Sequence, residues 1–193
     1  MKIGVLGGSF DPPHNGHLKM AAAAEKKLGL DLVLFVPCSS HKLKGHKPVS
    51  SAFHRSAMTA LAVGGKKNWL IEPVELEKGG YSCTVDTLRH LKRKYPKSEL
   101  YFIMGADSYG DFPRWKDPSG IRKLARLAVF PRKGLRAERT CPEDEIIGTK
   151  EVNISSERIR QMIGSGKDAS GLMSKCVWEY IRKQSLYSVS AEV

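Results

Sequence analysis

The sequence predicts an α/β fold: a doubly wound, mainly parallel sheet with helices on both faces, built as a single domain. Two observations predict it. Strand-length apolar runs alternate with helix-patterned stretches along the chain, the pattern of a parallel sheet covered by helices. The length, 193 residues, suits one domain that buries its own core, and no repeat, low-complexity tract or long linker divides it.

The first unit is the clearest. Lys2 to Gly7 is a short apolar run ending in glycine, as expected of a strand buried on both faces. Asn15 to Leu28 is rich in alanine and leucine and stops at Gly29, so it reads as a helix. Leu32 to Pro37 is a second buried strand and completes a βαβ unit. Ser51 to Val63 then suits a helix, Trp69 to Glu75 a strand, Thr84 to Tyr95 a helix, and Leu100 to Met104 and Leu127 to Pro131 two more strands. Ser155 to Ile163 and Leu172 to Lys183 are helical in pattern. In the second, Met173, Cys176, Val177, Tyr180 and Ile181 share one face, which reads as core. Arg132 to Thr149, with glycines and mixed charge, reads as a mobile excursion. Ser188 to Val193 lacks an anchor and reads as frayed. The expected organisation is a domain over residues 1–187 and a tail over 188–193.

Composition removes several classes. Hydrophobic residues make up 41% and charged residues 27%, near globular averages, and no apolar run approaches the roughly 18 residues of a membrane helix. The opening MKIGVLGGSF lacks the apolar stretch and cleavage site of a signal peptide, so a cytoplasmic location is expected. Cys38, Cys83, Cys141 and Cys176 are widely spaced, with no CxxC pair, and support neither a zinc knuckle nor a disulfide framework. The net charge of +12, from 32 Lys plus Arg against 20 Asp plus Glu, favours a polyanionic partner without saying which.

The densest chemical signal is Gly7-Gly8-Ser9-Phe10-Asp11-Pro12-Pro13-His14-Asn15-Gly16-His17, after the first strand and opening the first helix. Ligands of open α/β sheets bind beyond the carboxyl ends of the strands. A helix starting there turns unpaired N–H groups and a positive dipole end toward an anion such as phosphate. Gly7 and Gly8 let the backbone approach a ligand, while His14 and His17, three apart, can direct two imidazoles to one anion. The run is neither a Walker A loop nor GxGxxG. A lone histidine pair at a helix start is more often a cap or surface pair; strand, glycines and helix entry together favour the anion site. Zinc would need a third ligand.

Four further segments carry candidate chemistry. From Leu32 to Ile71 there are six Lys or Arg and no acidic residue; His41 and Lys42 are the best candidates there for meeting phosphate, against the plain reading of a solvated loop. The part of this loop from Lys44 to Ser51, with its charge and Gly45, suits a lid that closes over substrate. Met104-Gly105-Ala106-Asp107-Ser108 puts a carboxylate at a strand end, where it can accept from a ribose or hold a metal. Trp115 lies in a Pro-containing loop and can stack on a flat ring or simply pack. Ile154-Ser155-Ser156-Glu157-Arg158-Ile159-Arg160 reads as a helix N-cap, and equally as a second phosphate cradle with Arg160 gripping an oxyanion.

Together these segments resemble the nucleotidylyltransferase superfamily, with His14 to His17 as its HxGH signature and Ile154 to Arg160 as its second motif. The closer similarity is to the bacterial nicotinate-nucleotide adenylyltransferase family. Gly7 to Leu18 match its opening motif, Ser40-His41-Lys42 its PHK segment, and Ser82 to Leu88 its SYTxDTL segment. Gly105 to Ser108, Trp115, Val129 to Arg132, and Tyr180-Ile181 to Leu186-Tyr187 follow in the family's order, so the resemblance runs through Tyr187. Ser40, Cys83 and Glu157 depart from the usual proline, tyrosine and threonine.

The resemblance implies a Rossmann-like fold and adenylyl transfer from ATP to nicotinate mononucleotide, giving nicotinate adenine dinucleotide and pyrophosphate in NAD biosynthesis. The acceptor phosphate would attack the α-phosphorus in line, with no covalent intermediate. It implies that His14 and His17 stabilise the α-phosphate, with Ser155, Ser156 and Arg160 on the β- and γ-phosphates. Gly7, Gly8, Ser9, Phe10, Gly105, Asp107 and Ile154 complete the ATP site, with Asp107 on a ribose. His41, Lys42, Thr84, Trp115 and Arg132 would bind nicotinate mononucleotide, its ring near Trp115 and its carboxylate on backbone amides around Thr84 and Trp115. Mg²⁺ would accompany ATP, with no metal site of the protein's own. The implied partners are these two small molecules, not nucleic acid or a membrane, with a homo-oligomer left open. The rival readings are a sister enzyme using nicotinamide mononucleotide or phosphopantetheine, and a non-catalytic basic nucleic-acid-binding protein. Against the last, no RRM-like aromatic motif or helix-turn-helix pattern is present.

Overall fold

The computed structural model describes residues 1–39, 48–81, 83–131, 139–148 and 154–188. Within them, strands β1 (Lys2–Gly8), β2 (Leu32–Pro37), β3 (Trp69–Ile71), β4 (Glu99–Gly105), β5 (Ala125–Phe130) and β6 (Glu145–Ile146) form one sheet in the order β3-β2-β1-β4-β5-β6. Every neighbouring pair is parallel. The helices are α1 (Asn15–Leu28), α2 (Ala52–Val63), α3 (Val74–Lys78), α4 (Thr84–Lys94), α5 (Ala106–Gly110), α6 (Pro118–Leu124), α7 (Ser156–Gly164) and α8 (Lys175–Lys183). None is long and apolar enough to cross a membrane.

Strand alternation sorts the core into two layers, because successive side chains point to opposite faces of a sheet. Ile3, Val5, Leu34, Val36, Leu100, Phe102, Leu127 and Val129 pack against Val85, Leu88 and Leu91 of α4 and Ile121 of α6. On the other face, Leu6, Val33, Phe35, Ile103, Ala128 and Phe130 meet Ala21 and Ala24 of α1 and Val63 of α2. The doubly wound expectation is thus met. A third cluster joins Met58 of α2 to Ile159 of α7 and Met173, Val177 and Ile181 of α8, docking the end of the chain beside the start of α2.

Several boundaries differ from the sequence reading. The strand expected to reach Glu75 ends at Ile71, and Pro73 opens the short α3 that carries Glu75. α8 begins at Lys175 behind its Ser174 cap, after a separate 3-10 turn over Ser170–Leu172. Cys176, expected in the core stripe, is exposed, and Tyr180 is only half-buried. The α6 start was legible but unread: Asp117 accepts from the Gly120 amide and Pro118 follows it, the usual cap and first-turn proline.

The described part of the expected mobile excursion, residues 139–148, is well anchored. β6 adds the last strand beside β5. Asp144 is 1% exposed and accepts hydrogen bonds from both terminal nitrogens of Arg122 and from the Tyr109 hydroxyl. The Tyr109 oxygen in turn accepts from the Thr140 amide at 2.8 Å. Hydrogen bonding to Asp144 pushes the Arg122 guanidinium above its ordinary range. Removing one partner of such a pair strands the other. Because Arg122 keeps some access to water, Asp144→Ala should lower the unfolding free energy by about 2 kcal/mol, below the cost of breaking a fully buried ion pair, as read by urea titration.

Candidate active site

The strand order reverses between β1 and β4: the chain winds outward through β2 and β3 on one side and through β5 and β6 on the other. Loops leaving the carboxyl ends there diverge and open a crevice. A cavity of about 960 Å³ fills it, lined among others by Gly7, Gly8, Ser9, His14, His17 and Asp107.

His14 and His17 form the start of α1. His14 is its N-cap, with Nδ1 accepting from the Gly16 amide at 3.1 Å, and His17 Nδ1 accepts from the His14 amide at 3.2 Å. This reciprocal capping box uses imidazoles where a serine and a glutamate more often stand. It also assigns the tautomer: with Nδ1 accepting in both rings, the proton of each neutral imidazole sits on Nε2. The rings stack with centroids 3.8 Å apart, so two N–H donors are presented side by side at the cavity wall.

The residues before them build the support. Phe10 adopts a left-handed φ of 48° and is fully buried, its ring edge-on to His17 with centroids 5.0 Å apart and against Phe35. Its side chain thus belongs to the core under His17, which leaves its backbone for any part in an ATP site. Gly8 passes over it so closely that a Cβ there would lie 3.3 Å from the ring. Asp11, 2% exposed, accepts from the amides of Val49 (2.6 Å) and Ser50 (3.2 Å) and from the Tyr187 hydroxyl (2.7 Å). Arg55 of α2, equally buried, donates to the carbonyls of Ser9 (2.9 Å), Cys38 (2.5 Å) and Ser39 (3.3 Å). The sequence reading gave neither residue a role. Arg55 had a signal, since it shares an otherwise buried helical face with Met58, Thr59 and Val63.

α7 closes the phosphate end. Ser155 caps it by accepting from the Arg158 amide, Ser156 donates to the Pro12 carbonyl at 2.8 Å, and one N–H of Arg160 donates to the Asp11 carbonyl at 2.7 Å. The expected N-cap is thus built. The Ser156 hydroxyl proton is engaged by Pro12, which leaves the first-turn amides and the other N–H groups of Arg160 as the groups suited to an anion. Ile154 and Glu157 also line this end. At the end of β4, a Cβ on Gly105 would meet Asp107 Oδ1 at 2.6 Å, so only glycine lets that carboxylate fold over the strand end.

The opposite end is aromatic and apolar. Trp115 packs edge-on to Phe102 at 5.8 Å and against Phe112 at 5.7 Å. Thr84, the first residue of α4, lines the same cavity, and its N-cap, Cys83, offers no side-chain cap. The Trp115 amide is bonded to the Phe112 carbonyl at 3.0 Å within a 3-10 turn. That amide is therefore engaged within the chain, while the first-turn amides of α4 open at Thr84. Lys116 donates to Asp86 at 3.0 Å, a bond that holds the Asp86 carboxyl below its usual range.

Of the candidate residues, Gly7, Gly8, Ser9, His14, His17, Thr84, Gly105, Asp107, Trp115, Ile154, Ser155, Ser156 and Arg160 line this one cavity. His41, Lys42 and Arg132 lie outside the described residues, as does the lid segment 44–47. No group of three or more metal-ligating side chains occurs among the described residues.

Residues 5–162 match the family model described as cytidylyltransferase-like. A relative from Bacillus subtilis, named nicotinate-nucleotide adenylyltransferase, is 36% identical over 186 residues, covering 96% of this chain and 98% of its own. One from Thermus thermophilus, with the same name qualified as probable, is 40% identical over 189 residues, covering 97% and 100%. A solved Plasmodium falciparum nicotinic acid mononucleotide adenylyltransferase, complexed with NaAD, superposes with a TM-score of 0.81 at 20% identity, covering 96% of this chain and 97% of that one, and agrees in fold. On the family match and the near full-length relatives, the chain belongs to the cytidylyltransferase-like family and, within it, to the nicotinate-nucleotide adenylyltransferases.

Proposed function

We propose that the protein transfers the adenylyl group of ATP to nicotinate mononucleotide, releasing pyrophosphate and forming nicotinate adenine dinucleotide. One observation carries the reading: a single cavity, at the upper end of the usual size for small-molecule sites, joins the paired histidines and the α7 start to an aromatic wall and the α4 start. It has an anion end and a ring end, as the joining of two nucleotides requires.

The chemistry follows from the donors. The attacking phosphate is ionised at neutral pH, so alignment and charge stabilisation matter more than a general base. His14 and His17 offer Nε2–H groups to the α-phosphate as charge builds there, and Arg160 with the first-turn amides of α7 meets the leaving pyrophosphate. Asp107 suits the ribose, and Trp115 suits the pyridine ring, whose carboxylate would meet the first-turn amides of α4. A divalent cation accompanying ATP, which we take to be Mg²⁺, supplies charge neutralisation on the triphosphate. Among the described residues no group of three or more metal-ligating side chains would cage it, and Glu157, which lines the cavity beside Ser155 and Ser156, is a carboxylate suited to share it. Cytoplasmic residence fits four cysteines none of which forms a disulfide.

The direct test is Mg²⁺-dependent pyrophosphate release from ATP with nicotinate mononucleotide, nicotinamide mononucleotide or phosphopantetheine as acceptor. The first is expected to lead clearly, and a lead for either of the others would reassign the acceptor. His17→Ala should lower kcat at least about a hundredfold, the scale of losing one transition-state donor; near-normal turnover would remove His17 from the chemistry. His14 has two jobs that substitution can separate. Asn can replace Nδ1 as cap acceptor, so His14→Asn should keep the unfolding midpoint while losing turnover, whereas His14→Ala should lose turnover and about 1 kcal/mol of stability.

A further inference from the structure

The end of the described chain packs against the support of the active site. After α8, Ser185 and Tyr187 both adopt left-handed backbone, with φ of 48° and 65°. Such conformations are costly for residues with side chains and persist where the surroundings over-determine them. Their effect is to turn the chain back toward α2 and β1. The Tyr187 hydroxyl then donates to Asp11 Oδ1 at 2.7 Å and lies 3.8 Å from Met58 Sδ.

Asp11 is where three separate parts of the site meet. Its carboxylate holds the Val49 and Ser50 amides, and so the stretch that lines the cavity just before α2. Its carbonyl holds Arg160. Its neighbour Pro12 holds Ser156 and leads to His14. Tyr187 is the side-chain donor in the carboxylate's set. Burial, reinforced by the Asp11 carboxylate, pushes its hydroxyl far above the ordinary tyrosine range, so it remains a donor throughout working pH.

We propose that Tyr187 is a positioning residue for adenylyl transfer: its hydroxyl orients Asp11, and through Asp11 it sets Arg160 and the Val49–Ser50 wall relative to the histidine pair. The inference rests on the reaction assigned above. A tether of this kind acts on alignment, so its loss falls on kcat more than on ground-state binding.

Tyr187→Phe is the test, since it keeps the ring and its packing and removes only the hydroxyl. Expected are a fall in kcat of about tenfold, an ATP KM within about twofold of the parent, and faster hydrogen exchange at the Val49 and Ser50 amides. Combined with Asp11→Asn, Tyr187→Phe should add less than about a twofold further loss, because both changes break one link. A kcat within twofold of the parent, or losses that multiply in the double variant, overturns the proposal, whatever happens to the unfolding midpoint. Should the parent protein show no adenylyl transfer, the assigned reaction fails separately. The tether is then judged by exchange alone, and unchanged Val49 and Ser50 rates in Tyr187→Phe overturn it.

Discussion

The capping hydrogen bonds that the His14 and His17 imidazoles accept are the interaction on which the start of α1 depends. Any helix beginning at the end of β1 must satisfy its first amides, and here the groups that do so also line the cavity. The cap fixes the rings in position and places their protons on Nε2. A serine–glutamate box would start the same helix and present no imidazole N–H to a phosphate. The same two side chains therefore start the helix and line the cavity.

The cap would be loosely placed without what lies under and behind it. Phe10 fills the space beneath His17, at the cost of a left-handed backbone, and Gly8 is small enough to let the strand pass above it. Behind, the turn is fastened by backbone carbonyls: those of Ser9, Asp11 and Pro12 accept from Arg55, Arg160 and Ser156. These donors come from α2 and α7, far apart in sequence. Buried carbonyls need partners wherever the chain leaves regular structure, so the loop's own requirement for hydrogen bonds draws the distant helices into register with the histidines.

How much of this was legible follows from the range of the interactions. β1, α1 and β2 are specified by local apolar runs and a glycine stop, and their expected bounds match the observed ones to within a residue. The HxGH run, the α7 cap and Gly105-Ala106-Asp107 were legible because each is a short segment at a strand end or helix start. Arg55, Asp11 and Tyr187 were missed because their roles arise only when residues up to 176 positions apart meet; no window of sequence contains both partners. The burial of the Phe10 side chain was illegible for a related reason: its motif neighbours line the cavity, and a positive φ, which the sequence does not announce, accompanies its inward turn. Residues 139–148 looked mobile by composition, yet one buried carboxylate, Asp144, gathers Arg122 and Tyr109 and anchors them.

The two ends of the cavity are held by different physics, and this bears on how such a site can diversify. At the phosphate end, side chains are bound to backbone atoms, so changing one leaves a buried polar group unmatched, which is costly. At the ring end, Trp115 rests on Phe102 and Phe112 by packing, and Lys116 and Asp86 pair in contact with water. Exposed pairs contribute little to stability, and packed aromatic walls accept changes of shape more readily than polar networks accept loss of a partner. Cys83 lines the cavity at this permissive end. Substitution there should therefore disturb the fold less than loss of a side chain bonded to the backbone beside His14.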